Sequence, residues 1–133
     1  MHHTTTPLRI LITGSRTWTD KTTIATAISD YLTSTGTTIT TASPFPVVVH
    51  GAAHGADQLA DQLARTWGWT PEPHPADWHR HGRSAGYRRN AAMVRLGADV
   101  CLAFIHHHSP GATHTANLAQ HAGIPTHRYT MPW

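Results

Sequence analysis

Short apolar runs alternate along this chain with segments in which apolar residues recur at a longer spacing. The runs at 8–13, 47–51 and 98–105 are apolar almost throughout, and two weaker runs lie at 69–74 and 125–129. Continuous apolar runs of about four to eight residues are typical of strands that are buried on both faces, as in a parallel sheet. We therefore expect a mainly parallel sheet of about five strands.

The segments between these runs show the spacing of amphipathic helices. The first helix is predicted to begin at Thr19 or Asp20, because both residue types are good N-caps. The second helix is predicted to begin within 51–57, the third to span 84–96 and the fourth to span 112–122. The side chains predicted to face the core in the first three helices are Ile24, Ala27, Ile28, Tyr31 and Leu32, then Ala56, Leu59, Ala60, Leu63, Ala64 and Trp67, then Ala91, Val94 and Leu96.

This alternation of strands and helices favours one fold class. Strand–helix–strand units build parallel sheets whose two faces are covered by helices. We predict a single Rossmann-like, three-layer α/β/α domain over 8–133, preceded by a flexible N-terminus at 1–7. The length of 133 residues is that of one domain, and no repeat or linker divides the chain.

The composition argues against a membrane or secreted protein. Hydrophobic residues make up 39% of the chain, but no apolar run reaches the roughly 18 residues of a membrane-spanning helix. The first residues lack the basic and apolar regions of a signal peptide. Cys101, the single cysteine, stands in an apolar run and is predicted to be a buried free thiol. We therefore expect a cytoplasmic protein.

Positive charge is concentrated in one part of the chain. The formal net charge is only +3, yet most of the arginines fall between Arg65 and Arg95. Nucleic-acid-binding surfaces are commonly richer in lysine, and Lys21 is the only lysine here. This distribution favours a small anionic ligand over nucleic acid.

The loops that follow the predicted strands carry residue types suited to a nucleotide. These loops are GSRTW (14–18), GAAHGAD (51–57), HPADWHRHGRSAGYRRN (74–90) and SPGATH (109–114). In open α/β sheets, ligands bind beyond the carboxyl ends of the strands. Glycines allow a close backbone approach, helix N-termini and arginines bind phosphate oxygens, and Trp18, Trp78 and Tyr87 are available to stack on a base.

Several of these features also have a purely structural interpretation. The glycines at Gly51 and Gly55 fit a plain strand-to-helix turn, and Ser109–Gly111 fits a tight turn. Asp57, in the first turn of a helix, either complements the helix dipole or contacts a ligand. Trp78 either packs against the protein or forms a platform for a base.

Residues suited to acid–base chemistry are few. Asp57 and Asp77 are the carboxylates beside the predicted site, and His114 stands at the start of the last helix. These three are the catalytic candidates. The histidines at 106–108 are adjacent and lack the spacing of a metal-ligand set, so no metal site is predicted.

Four stretches, taken together, resemble one protein family. They are ILITGSRTW (10–18), VVHGAAHGAD (48–57), HPADWHRHGRSAGYRRN (74–90) and GADVCLAFIHHHSPGATHTANLA (97–119). Together they resemble the YspA/YpsA-related branch of the SLOG superfamily, which also contains the LOG phosphoribohydrolases and the DprA Rossmann-like domain. The resemblance implies a Rossmann-like fold, a nucleotide-derived ligand such as NAD, ADP-ribose or a nucleoside phosphate, no required cofactor, and a phage or mobile-element setting.

The resemblance also implies which residues form the site. Gly14, Ser15 and Arg16 match the first loop of the family, and Arg88, Arg89 and Asn90 match its AGxxRN element. With the candidates from the loops, the predicted ligand-binding set is Gly14, Ser15, Arg16, Trp18, Gly51, Gly55, Asp57, Trp78, Arg83, Arg88, Arg89, Asn90, Ser109, Gly111 and Thr113. Where the LOG enzymes have the glutamate of PGGxGTxxE, this chain has Ala116.

Three functions remain open on the sequence alone. The first is a nucleotide-binding sensor or signalling module without turnover, which the missing glutamate favours. The second is a hydrolase that cleaves the N-glycosidic bond of a nucleotide. The third is DNA binding, which is supported only by the modest positive charge. A homodimer formed through Trp67, Trp69 and Trp133 is a further hypothesis.

Overall fold

The computed structural model of the protein describes residues 6–39 and 44–131. The strands are β1 (Arg9–Gly14), β2 (Val47–His50), β3 (Thr70–Pro73), β4 (Val100–Ile105) and β5 (Thr126–Thr130). The helices are α1 (Lys21–Ser34), α2 (Ala56–Thr66), α3 (Trp78–His81), α4 (Ala85–Leu96) and α5 (Pro110–His121), with a 3-10 turn at Gly82–Ser84. The predicted fold class, a single α/β domain around a parallel sheet, is confirmed.

The five strands form one parallel sheet in the order β3-β2-β1-β4-β5. The chain therefore runs outward from β1 in one direction through β2 and β3, and in the other direction through β4 and β5. Such a change of direction leaves a crevice at the carboxyl ends of the two central strands, where ligands bind in open α/β sheets. This crevice lies between the ends of β1 and β4.

Successive residues of the strands pack on opposite faces of the sheet, as the alternation of side chains along a strand requires. Ile10 and Ile12 belong to the core under α1 and α2, whereas Leu11 belongs to the core with residues of α4 and α5. Cys101 lies in this second core as a buried free thiol, as predicted. Both faces are covered, which explains why the inner strands β1, β2 and β4 are largely apolar, whereas the edge strands β3 and β5 are partly exposed and more polar.

The helix starts follow from local chemistry. The carboxylate of Asp20 accepts hydrogen bonds from the backbone N–H and the hydroxyl of Thr23, so Asp20 is the N-cap of α1. Helix α5 begins at Pro110, two residues before the predicted start, because proline is well suited to the first helical position. None of the helices in the described ranges is long and apolar enough to cross a membrane.

The predicted inner face of α4 was partly wrong. Val94 is buried as predicted, but Leu96 is 61% exposed and Ala91 is only partly buried; the other buried positions are Ala85, Asn90 and Met93. Leu96 is the last residue of the helix before Gly97, and it lies two positions from Val94, which places the two side chains on different faces of a helix. The buried Asn90 was not part of any apolar pattern, and its position matters for the site.

Candidate functional site

A cavity of about 350 Å³ lies at the carboxyl edge of the sheet. It is formed by the loops after β1, β2 and β4 together with α3, the 3-10 turn and α4, and its place at this edge is the one expected from the strand order. The residues that line it are Thr13, Gly14, Arg16, Gly51, Ala53, Asp57, Trp78, Arg83, Gly86, Tyr87, Arg89, Asn90, Met93, Ser109, Pro110, Gly111 and Ala112. Ten of the predicted ligand-binding residues are among them: Gly14, Arg16, Gly51, Asp57, Trp78, Arg83, Arg89, Asn90, Ser109 and Gly111.

Two glycines bring the loops after β1 and β2 into contact. At Gly55 the backbone has a φ of +77°, and a Cβ there would lie 2.2 Å from the carbonyl oxygen of Ser15. At Gly14 a Cβ would lie 2.3 Å from the Cβ of Ala56. Both contacts are far closer than real atoms allow, so only glycine permits this approach. Gly55 therefore does not line the cavity, but it allows the two loops that form the cavity wall to pack closely together.

Ser15 and Trp18 also act as structural residues. The Ser15 hydroxyl accepts a hydrogen bond from the backbone N–H of His106 and donates one to its carbonyl oxygen, which joins the loops after β1 and β4. Trp18 is only 2% exposed, and its ring packs against Phe104 with the ring centroids 5.4 Å apart. The structure therefore places Trp18 in the core, where it is not available to stack on a base.

A buried histidine holds the turn after β2. The Nδ1 of His50 accepts a hydrogen bond from the backbone N–H of Ala52, so the ring proton lies on Nε2, which donates to Asp61 at 2.7 Å. Burial lowers the pKa of His50, with the hydrogen bond to Asp61 opposing that effect. The neutral ring stabilises the turn, in which Ala52 has a φ of 58°.

Asp57 is the buried acid of the cavity wall. Its Oδ2 accepts hydrogen bonds from the backbone N–H groups of Gly51 and Ala53, at 3.1 Å and 3.3 Å. Its Oδ1 has no hydrogen-bond partner among the described residues, although the side chain is only 5% exposed. Burial raises the pKa of Asp57 to about 7, against the opposing effects of the two backbone N–H groups, Arg89 and Arg16.

Arg89 crosses the cavity from α4. Its guanidinium donates to the carbonyl oxygens of Gly51 and His74 and to the Oδ1 of Asn90. Burial lowers the pKa of Arg89, and the charge of Asp57 opposes this shift; an arginine nevertheless stays a cation at neutral pH. Arg89 therefore places a partly buried positive charge beside the neutral or negative Asp57.

Further positive potential comes from two exposed arginines and from a helix N-terminus. Arg16 and Arg83 line the cavity from the loop after β1 and from the 3-10 turn. The first backbone hydrogen bond of α5 joins the N–H of Thr113 to the carbonyl of Ser109. The N–H groups of Gly111 and Ala112 precede it, so they have no intrahelical acceptor, and both residues line the cavity.

Two aromatic rings stand at the rim. Trp78 and Tyr87 are 52% and 50% exposed, which is unusual for side chains of this size. Trp78 lies against α4 at Gly86, where an added Cβ would stand 3.4 Å from the indole ring, an ordinary van der Waals contact. Tyr87 is one of the aromatic residues expected from the loops, whereas Gly86, Ala53 and Met93 line the cavity without having been predicted as site residues. The glycine of the AGxxRN element was the available signal for Gly86.

Besides Ser15, Trp18 and Gly55, four more predicted residues lie outside this cavity. The guanidinium of Arg88 donates to the Ser84 hydroxyl on the exposed side of α4, and Asp77 is the exposed N-cap of α3, accepting from the backbone N–H of Arg80. Thr113 and His114 line a neighbouring groove instead. Among the described residues, no group of three or more His, Cys, Asp and Glu side chains could hold a metal ion.

Comparisons with known proteins agree with this architecture. The family model described as the YspA, cpYpsA-related SLOG family matches residues 8–81, which run from β1 through α3. The Gene 61 protein of Mycobacterium phage D29 is 50% identical over 127 residues, covering 88% of this chain and 92% of that protein. No solved structure shows a significant match. The chain therefore belongs to the YspA, cpYpsA-related SLOG family.

Proposed function

We propose that this protein binds a nucleotide or a nucleotide-derived ligand in the cavity and acts as a sensor or signalling module. One observation carries the proposal: a single cavity is lined by arginines, by residues at the start of α5 whose N–H groups have no intrahelical acceptor, and by two exposed aromatic rings. Phosphate and base are the two parts of a nucleotide that these groups recognise. Membership of the SLOG family is consistent with a nucleotide-related role.

The charges suggest how the ligand would lie. A phosphate group would accept hydrogen bonds from the N–H groups of Gly111 and Ala112 while Arg16 and Arg89 balance its charge. A base would then reach the rim, where Trp78 and Tyr87 present their faces or edges to solvent. The volume of about 350 Å³ lies within the usual range for small-molecule pockets.

Binding without turnover is favoured because an acid is missing at the position used by the LOG enzymes. Ala116, which stands there, is fully buried within α5 and is not among the residues that line the cavity. Asp77, the exposed one of the two carboxylate candidates, is engaged as a helix cap outside the cavity.

Two neighbouring arginines provide a matched test. We expect Arg89→Ala to weaken nucleotide binding by about 1.5–3 kcal/mol, the value of a hydrogen bond to a charged group, and Arg88→Ala to leave it unchanged. Isothermal titration with AMP, ADP-ribose and NAD would measure both variants, and urea unfolding would verify that each is folded. Equal effects of the two substitutions, or no binding by the wild type, would contradict the proposal.

Asp57 supports a second candidate, hydrolysis of an N-glycosidic bond. A carboxylic acid with a pKa of about 7 and one unpartnered oxygen on the cavity wall is suited to general acid catalysis. In this reaction the C1′–N bond breaks, Asp57 gives its proton to the departing base, and water supplies the hydroxyl on C1′ and returns a proton to Asp57.

Mass spectrometry after incubation with a pool of NAD, ADP-ribose and nucleoside phosphates would separate the two candidates. Intact ligand retained by the protein supports binding alone. A released base that disappears in Asp57→Asn, while Arg88→Ala still releases it, supports the hydrolase.

A further inference from the structure

A second, larger groove adjoins the cavity. It has a volume of about 910 Å³ and is lined mainly by α5, the loop before it and β5. Tyr87 and Pro110 line both the cavity and the groove, so the two spaces meet along these side chains. Because the start of α5 forms part of each wall, a phosphate bound there would have the groove on one side and the cavity on the other.

Hydrogen bonding and ring contact also link the two spaces. The Nδ2 of Asn90, on the cavity side, lies 3.3 Å from the Nδ1 of His114, on the groove side. The His114 ring meets Tyr87 edge to face, with ring centroids 4.6 Å apart. Asn90 is itself bonded to Arg89, so the groove and the arginine of the cavity belong to one continuous polar network.

The groove carries a positive charge that neutral groups hold in place. The guanidinium of Arg128 donates to the side-chain oxygens of Asn117 and Gln120, at 2.8 Å and 3.1 Å. Both partners are uncharged amides, and none of the ion pairs found in the described ranges involves Arg128. The guanidinium is thus held in one orientation by neutral groups, and its remaining N–H groups can donate hydrogen bonds to the hydroxyl oxygens of a sugar.

We propose that the groove binds the second half of a two-part nucleotide, so that the preferred ligand is a nucleoside diphosphate carrying a second sugar, rather than a mononucleotide. One half would occupy the cavity beside Trp78, the phosphates would pass the start of α5, and the second half would lie beside His114 and Arg128. This inference rests on the proposed function, since it assumes that the cavity holds a nucleotide.

The test compares ligands that share one half. We expect ADP-ribose to bind at least about tenfold more tightly than AMP or ADP, because a second moiety held on the same molecule adds its contacts at little further entropic cost. Arg128→Gln should remove most of this advantage while leaving AMP affinity unchanged. Arg95→Gln, an exposed arginine of α4 that lines neither space, is the matched control.

The outcomes separate this inference from the proposed function. If AMP, ADP and ADP-ribose bind equally, or if Arg128→Gln weakens AMP and ADP-ribose alike, the groove is not a second subsite although the cavity still binds a nucleotide. If none of the three binds to folded protein, both the proposed function and the inference are overturned. A loss confined to ADP-ribose supports the inference.

Discussion

Replacing Asp57 by asparagine should stabilise the folded protein relative to wild type increasingly as the pH rises. In the folded protein the pKa of Asp57 is raised from 3.8 to about 7 by burial. The folded state therefore keeps a proton that the unfolded chain loses as the pH rises from about 4 to 7. Stability falls over that window in the wild type, whereas asparagine has no proton to lose.

The size of this effect follows from the pKa shift. The pKa shift spans about three units, and each unit corresponds to about 1.4 kcal/mol. The difference in the free energy of unfolding, Asp57→Asn minus wild type, should therefore rise by roughly 4 kcal/mol between pH 4 and pH 8. The asparagine oxygen can still accept from the N–H groups of Gly51 and Ala53. Its amide group replaces the unpartnered oxygen at a cost that does not change with pH.

Urea unfolding followed by tryptophan fluorescence at several pH values would measure the difference, since Trp18 is buried in the core. Other titrating groups, such as Glu72, are present in both proteins and cancel in the comparison. Asp77→Asn, a change at an exposed carboxylate, is the control, and we expect no comparable gain from it. A difference between Asp57→Asn and wild type that stays constant or falls as the pH rises would refute the reasoning.

Two further predictions follow from the packing. Gly55→Ala should lower the free energy of unfolding by more than about 2 kcal/mol, because the added Cβ would collide with the Ser15 carbonyl oxygen at a residue whose φ is positive. Gly68→Ala is the control, since Gly68 also has a positive φ but faces open space, and it should lower the free energy of unfolding by less. Equal losses in urea unfolding would contradict this account. Burial raises the pKa of the Cys101 thiol to about 12, so this thiol should resist alkylation by iodoacetamide in native protein and react once urea unfolds the chain. Rapid labelling of the folded protein would show that the strand is not buried.

The position of the site follows from the strand order. The loops after β1, β2 and β4 contribute side chains that are far apart in the chain, such as Arg16, Gly51 and Gly111. Parallel strands bring these loops to one edge of the sheet, and the glycine contacts between them leave room for the cavity. Arg89 and Asp57 then face one another across a space from which water is partly excluded, so their charges influence each other.

The homodimer inferred from the tryptophans stays a prediction. Trp67 and Trp69 are half-buried and pack against each other, with ring centroids 4.7 Å apart. Trp133 lies outside the described residues, and so do residues 1–5 of the predicted flexible N-terminus. Nothing about these two side chains requires a second copy of the chain.

The sequence alone determined the class of fold and most of the loops that carry the site. Apolar runs buried on both faces, such as β1 and β4, can be recognised because a parallel sheet requires every position to be apolar. Glycine and arginine in the loops were informative because their conformational freedom and charge are properties of the residue itself. These are local signals, and they did not depend on knowing which parts of the chain meet.

Only the tertiary structure decided which side chains enter the cavity. Arg88 and Arg89 are adjacent in one motif, but successive residues of a helix point about 100° apart, so only Arg89 faces the site. Trp18 and Arg16 share a loop, yet Phe104 from β4 draws the indole into the core while Arg16 stays outside. The pKa of Asp57 likewise depends on burial, which arises only when distant segments pack around it.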